Sequence, residues 1–147
     1  MKLELKHLAT YLPYSLKLIV SSVDGSDYEL LTGLISQNGQ SIAQISNTDY
    51  YLDDVEENDF SIAPILRPLS DLTKEIEING EKFVPLDWFD KNYAPLECSH
   101  KEMQKHFMKD TLKTMPYLVI EKLIEWHFDV FGLIENNLAI NINTLNK

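Results

Sequence analysis

Apolar and polar positions alternate with period two from residue 16, where Leu16, Leu18 and Val20 are interleaved with Lys17, Ile19 and Ser21. That is the pattern of a strand with one buried side. Asp24-Gly25 interrupts it before an apolar run over residues 28–35, and Asn38-Gly39 separates that run from residues 41–45. Dipeptides of this kind supply the positive φ angles of tight hairpin turns, so the three runs predict an antiparallel meander. Upstream, Leu3, Leu5, Leu8 and Leu12 suit a short amphipathic helical turn that stops at Pro13.

The most apolar stretch is residues 115–131, which begins beside Pro116 and is followed by Gly132. Proline suits a first helical turn and glycine the left-handed closing position, so the pattern predicts one helix across the whole stretch. Tyr117, Ile120, Ile124 and Phe131 form one face, and Leu118, Val119, Leu123, Trp126, Phe128 and Val130 extend it around the circumference. A helix so apolar has to be covered on several sides, which predicts that it is the centre of the core. It is shorter than the roughly 20 apolar residues that span a bilayer, and its charges oppose insertion.

Between these regions the signals are shorter. Residues 47–59 hold six acids and no base and read as a loop with room for one helical turn. Residues 60–66 are apolar, with Pro64 confining them to an edge strand or an extended connection. Ser70 or Asp71 caps a short helix reaching about Glu75. Asn79-Gly80 then either closes that helix or, the preferred reading, turns a hairpin between residues 76–78 and 82–84. Residues 85–89 suggest another helical turn. Ser99 and Glu102 make a capping box for a helix that buries Met103, Phe107, Met108 and Leu112 and runs to about Thr114. After Gly132, Asn136-Asn137 turns the chain into a last strand in which Leu138, Ile140 and Ile142 alternate with polar or small residues. Together these elements predict an α+β fold, an antiparallel sheet of the meander plus a C-terminal strand, with helices packed on one face.

A chain of 147 residues suits a single domain, residues 1–147, whose core needs neither metal nor disulfide. Cys98 is the one cysteine, which excludes an internal disulfide and fits a reducing compartment, with cytoplasm as the default. The opening residues lack the apolar stretch of a signal peptide, and no membrane span is legible. The net charge is -10 and Arg67 is the sole arginine, which disfavours nucleic acid as a partner. Charge layout says more than the total. Between Lys17 and Arg67 there is no base, while Asp24, Asp27, Glu29, Asp49, Asp53, Asp54, Glu56, Glu57 and Asp59 are all acidic.

Chemistry is thinly marked. Cys98, His100 and His106 lie close together but match no zinc spacing, and capping or surface roles account for them. His127 near Asp129 could move protons, yet residues two apart on a helix do not face each other. No nucleophile elbow, zinc-protease motif or phosphate loop is present, so no catalytic, cofactor or metal residue is assigned. The acids Asp53 to Asp59 with Lys82 form a pool for a metal-dependent phosphodiester enzyme, but neither the calcium-loop spacing nor a nuclease core is met. Lys101, Lys105, Lys109 and Lys113 make a basic stripe that a solvated helix face explains. For the acidic block, a solubilising surface is the plain reading. The sharper one is that Asp49, Tyr50, Tyr51, Asp53, Asp54, Glu56, Glu57 and Asp59 form a docking surface for a protein with a basic face, the tyrosines giving half-wet contacts.

Residues 64–85 (PILRPLSDLTKEIEINGEKFVP), residues 125–143 (EWHFDVFGLIENNLAININ) and the opening LKHLATYLPYSLK resemble short open reading frames of phages and prophages of Bacteroidetes-type bacteria. That resemblance carries no catalytic residue or cofactor. It implies a small intracellular protein of a mobile element, of the kind that binds host proteins. The expectation is therefore a non-enzymatic protein-binding chain, with a metal-dependent phosphodiester enzyme and a self-associating structural accessory as alternatives.

Overall fold

The computed structural model describes residues 1–22, 24–52, 60–93 and 115–145, and the fold is α+β. The chain forms two compact units, Met1–Leu66 with Phe131–Lys147, and Arg67–Val130. The second is an insertion into the first along the sequence.

The first unit is built on a six-stranded sheet whose strands lie in the order Thr48–Tyr51, Gln40–Ile45, Gly25–Gln37, Lys17–Ser22, Phe60–Leu66 and Ile140–Asn141. Its meander is β1 (Lys17–Ser22), β2 (Gly25–Gln37) and β3 (Gln40–Ile45), as the alternation predicts. Leu18 and Val20 of β1 are buried while Lys17 is exposed. The β2–β3 turn works because Asn38 and Gly39 both take positive φ, 54° and 79°, which matches the strand twist. A register shift between Leu31 and Gly33 then changes which β2 residues share a face.

The acid-rich loop expected after residue 46 begins instead as a fourth strand, β4 (Thr48–Tyr51), antiparallel to β3. Ser46, with φ 55°, and Asn47 turn the chain in two residues, so Ile45 lies opposite Thr48. Thr and Tyr are good strand formers, and that preference outweighs the polar character of the segment.

On the far side, β5 (Phe60–Leu66) pairs antiparallel with β1 and places Pro64 opposite Leu18. The last strand, β8 (Ile140–Asn141), covers β5 only at Ile65 and Leu66, so Pro64 faces no further strand among the described residues, as its missing N–H requires. Two expectations change here. The C-terminal strand is two residues long and runs parallel to β5, which makes the sheet mixed, and the chain turns into a 3₁₀ helix at Ile142–Thr144. A short helix, α1 (Leu5–Ala9), lies against β3 and is followed by a 3₁₀ turn, Leu12–Tyr14, that includes Pro13. His7 of α1 is buried against Phe131 and accepts the Glu4 N–H on Nδ1 at 3.0 Å.

The second unit gathers a 3₁₀ helix (Leu69–Thr73), the hairpin β6 (Ile76–Ile78) and β7 (Glu81–Phe83), α2 (Pro85–Asn92) and α3 (Tyr117–Glu125). The hairpin forms on the Asn79-Gly80 turn as the sequence predicts, one residue earlier on its return strand. The expected cap at Ser70 or Asp71 is absent: Pro68 precedes a 3₁₀ helix that makes no side-chain capping bond. The helix expected over residues 99–114 lies outside the described residues.

The long helix is a correction. It runs only from Tyr117 to Glu125, and the residue closing it is His127, at φ 58°, rather than Gly132. His tolerates this left-handed conformation better than most side chains. Beyond it the backbone extends: Arg67 N–H donates to the His127 carbonyl and Asp129 N–H donates to the Arg67 carbonyl, each at 2.8 Å. Thus Phe128 owes its apolar character to a bridge with Arg67, and Val130 lies in the turn that follows, its N–H donating to the Phe128 carbonyl at 3.0 Å. Of the helix itself, Val119 and Leu123 are buried with Leu72, Ile76, Leu86, Phe89, Trp126 and Phe128, whereas Tyr117 and Leu118 are 74% and 51% exposed. It covers one face of its unit and is not wrapped on all sides.

Candidate functional site

Among the described residues, nothing pairs with the outer edge of β4. This edge carries the part of the acidic surface that the structure describes. Asp49 and Tyr51 are exposed, Tyr50 is half-buried, and Asp49 accepts from Gln44 Nε2 at 3.1 Å across the β3–β4 pair. Asp53, Asp54, Glu56, Glu57 and Asp59 lie outside the described residues, so the structure brings together Asp49, Tyr50 and Tyr51 alone of the expected set.

The register fixes which backbone groups point outward. In an antiparallel pair, residues exchanging both hydrogen bonds alternate with residues exchanging none. The Leu52 N–H donates to the Ser41 carbonyl at 2.8 Å, which sets the phase. Tyr50, opposite Ala43, therefore turns its N–H and C=O toward β3, and Asp49 and Tyr51, opposite Gln44 and Ile42, turn theirs away. Their side chains share one face, since strand side chains alternate.

A second polar centre, in the other unit, was not legible in sequence. Asp71 is buried and receives Lys74 Nζ at 2.7 Å, with Arg67 Nη1 at 4.0 Å. The guanidinium also sits 6.0 Å from the Phe128 ring centroid, and its Nε is buried with no hydrogen-bond partner among the described residues. Burial pushes the Arg67 pKa down, an effect that Asp71 partly opposes. Arginine's ordinary value is so high that the group stays charged near neutrality. The i to i+4 spacing of Arg67 and Asp71 was the available signal, but an isolated pair of that kind is usually a surface feature. Here the side chains are only 14% and 3% exposed. A cation bridged to a buried carboxylate and laid over a ring anchors a structure.

Among the described residues, no group of three or more His, Cys, Asp or Glu side chains is placed to hold an ion. Cys98, His100 and His106 lie outside these residues. His127, expected on a helix near Asp129, instead occupies the left-handed position that ends α3. Also unforeseen were Tyr28 and Leu30 on β2, 64% and 46% exposed, opposite Ile19 and Lys17. The even spacing of these residues was the signal, hidden inside a run that is apolar on both faces.

These features define an α+β protein with an acid-bearing sheet edge that no strand of the described residues covers, and no helix of the described residues is long and apolar enough to cross a membrane. Compared with family models, curated proteins and solved structures, the chain matches none.

Proposed function

We propose that this chain is a non-enzymatic, cytoplasmic interaction protein of a phage or other mobile element, and that it binds a host protein with a basic surface through its acidic side. The observation that carries the reading is the outer edge of β4, unpaired among the described residues, with Asp49 and Tyr51 exposed and with Asp53, Asp54, Glu56, Glu57 and Asp59 following in the sequence. Carboxylates arrayed on one surface raise the encounter rate with a positively charged partner and penalise negatively charged ones.

Pull-down from host lysate at low and high salt tests this, comparing the native chain with one in which Asp49, Asp53, Asp54, Glu56 and Glu57 become Asn or Gln. Retention of a basic protein that is lost on neutralisation, and weakened by salt, is the expected result. Equal retention by both chains rules the surface out. The same open edge supports a second reading, self-association through β4, for which light scattering would give a mass of two or more chains; the acids flanking β4 oppose it.

A further inference from the structure

Resting on that reading, we infer that the partner is engaged by strand addition: an extended basic segment pairs antiparallel with β4 and becomes the next strand of the sheet. The outward backbone groups of Asp49 and Tyr51 form a template, two donors and two acceptors held at strand spacing by the β3–β4 ladder. Neither residue's outward groups meet a neighbour among the described residues.

Charge selects the occupant. A residue directly opposite Asp49 in a hydrogen-bonded antiparallel pair sits about 5.5 Å away between Cα atoms, close enough for its side chain to meet the carboxylate. A positive charge there is favoured. A second copy of β4 would bring Asp49 and its neighbours toward their own kind. On the other face, Tyr50 lies beside Ala43, which is fully buried, so the residue opposite Tyr50 is apolar and β-branched. The recognised segment thus alternates lysine or arginine with valine or isoleucine.

The test uses a short peptide of alternating Lys and Val, with an alternating Glu and Val peptide as control, titrated into the full chain. Binding of the first and not the second is expected, with affinity falling as salt rises. In the antiparallel register the lysine N–H groups face β4, so methylating the lysine backbone nitrogens is expected to weaken binding about tenfold or more, and methylating those of valine to leave it little changed. Tyr51→Pro removes an outward N–H and no β3–β4 bond; it is expected to give the same loss with the circular dichroism spectrum retained. Asp49→Lys, which leaves the backbone intact, is expected to reverse the preference toward the Glu-Val peptide.

Salt-sensitive binding of the Lys-Val peptide that is indifferent to Tyr51→Pro and to lysine N-methylation would overturn strand addition while leaving the acidic surface standing. No preference for the lysine peptide, and no reversal in Asp49→Lys, would overturn both. A free chain that is dimeric until Tyr51→Pro is introduced would show the occupant to be a second copy, against this proposal.

Discussion

Replacing Phe89 by alanine empties the middle of the second unit's core. The ring is fully buried, with the rings of Trp126, Trp88 and Tyr93 centred 5.3, 5.7 and 6.1 Å from its own. Burying a phenylalanine side chain is worth about 1.5–3 kcal/mol. Aromatic pairing adds about 0.5–1.5 kcal/mol per pair beyond that area, though pairs sharing one ring do not add in full. The neighbours are large and hold one another edge to face, so they collapse poorly into the void, and the upper part of the usual range applies, about 3–5 kcal/mol. The assay is built in. Trp88 and Trp126 are the only tryptophans in the chain and both touch the lost ring, so tryptophan fluorescence during urea unfolding reports on this unit. Phe89→Ala should lower the unfolding free energy read from fluorescence by that amount, through a lower urea midpoint at unchanged slope, and Phe89→Leu should cost less. Tyr117→Ala, at a side chain 74% exposed, should stay within about 0.5 kcal/mol. A loss from Phe89→Ala no larger than that of Tyr117→Ala would refute the packing described for this unit.

Further outcomes follow from the same reasoning. Asp71→Asn should destabilise the chain by about 2–3 kcal/mol in chemical denaturation, because it leaves Arg67 desolvated without its counter-charge; no change would mean the pair is solvated. Gly39→Ala should cost about 1 kcal/mol through its φ of 79° while β2 and β3 keep their register, since no atom stands within 4 Å of the added methyl. Glu4 is held below its ordinary pKa of 4.5, first by its bond to Lys6. Its contribution to α1 is therefore present above pH 4.5 and lost as pH falls through the depressed value. An NMR titration should place the Glu4 midpoint below 4.5, and Lys6→Ala should raise it; an unmoved midpoint in the variant would show that Lys6 is not the cause.

How far the sequence discloses this molecule depends on where local chemistry and tertiary demand agree. The meander was legible because Asn38-Gly39 dictates its own turn and Leu16, Leu18 and Val20 alternate cleanly, and the Asn79-Gly80 hairpin for the same reason. β4 was not, since Thr48 to Tyr51 offers neither alternation nor a glycine turn; it is a strand because β3 supplies a partner and Ser46 accepts a left-handed φ. The overlong helix has a different origin. Apolar residues beyond Glu125 continue a helix pattern, but Phe128 is apolar in a bridge to Arg67 and Val130 in the turn after it, and periodicity cannot separate these from a helix over so few residues. Of the acidic surface, its position in sequence was legible and its backbone geometry was not. Which N–H groups face outward depends on strand register, and a single sequence carries no direct sign of that.

Residue-resolved amide hydrogen exchange across β4 tests the open edge most directly. In the free chain the Tyr50 and Leu52 amides, which face β3, should exchange slowly, while those of Asp49 and Tyr51 exchange at rates close to an unstructured peptide. On saturation with the Lys-Val peptide, Asp49 and Tyr51 should become protected as well. Asp49 and Tyr51 amides as protected as their neighbours in the free chain would mean that the edge is already filled, and the account of this protein as a docking strand would be wrong.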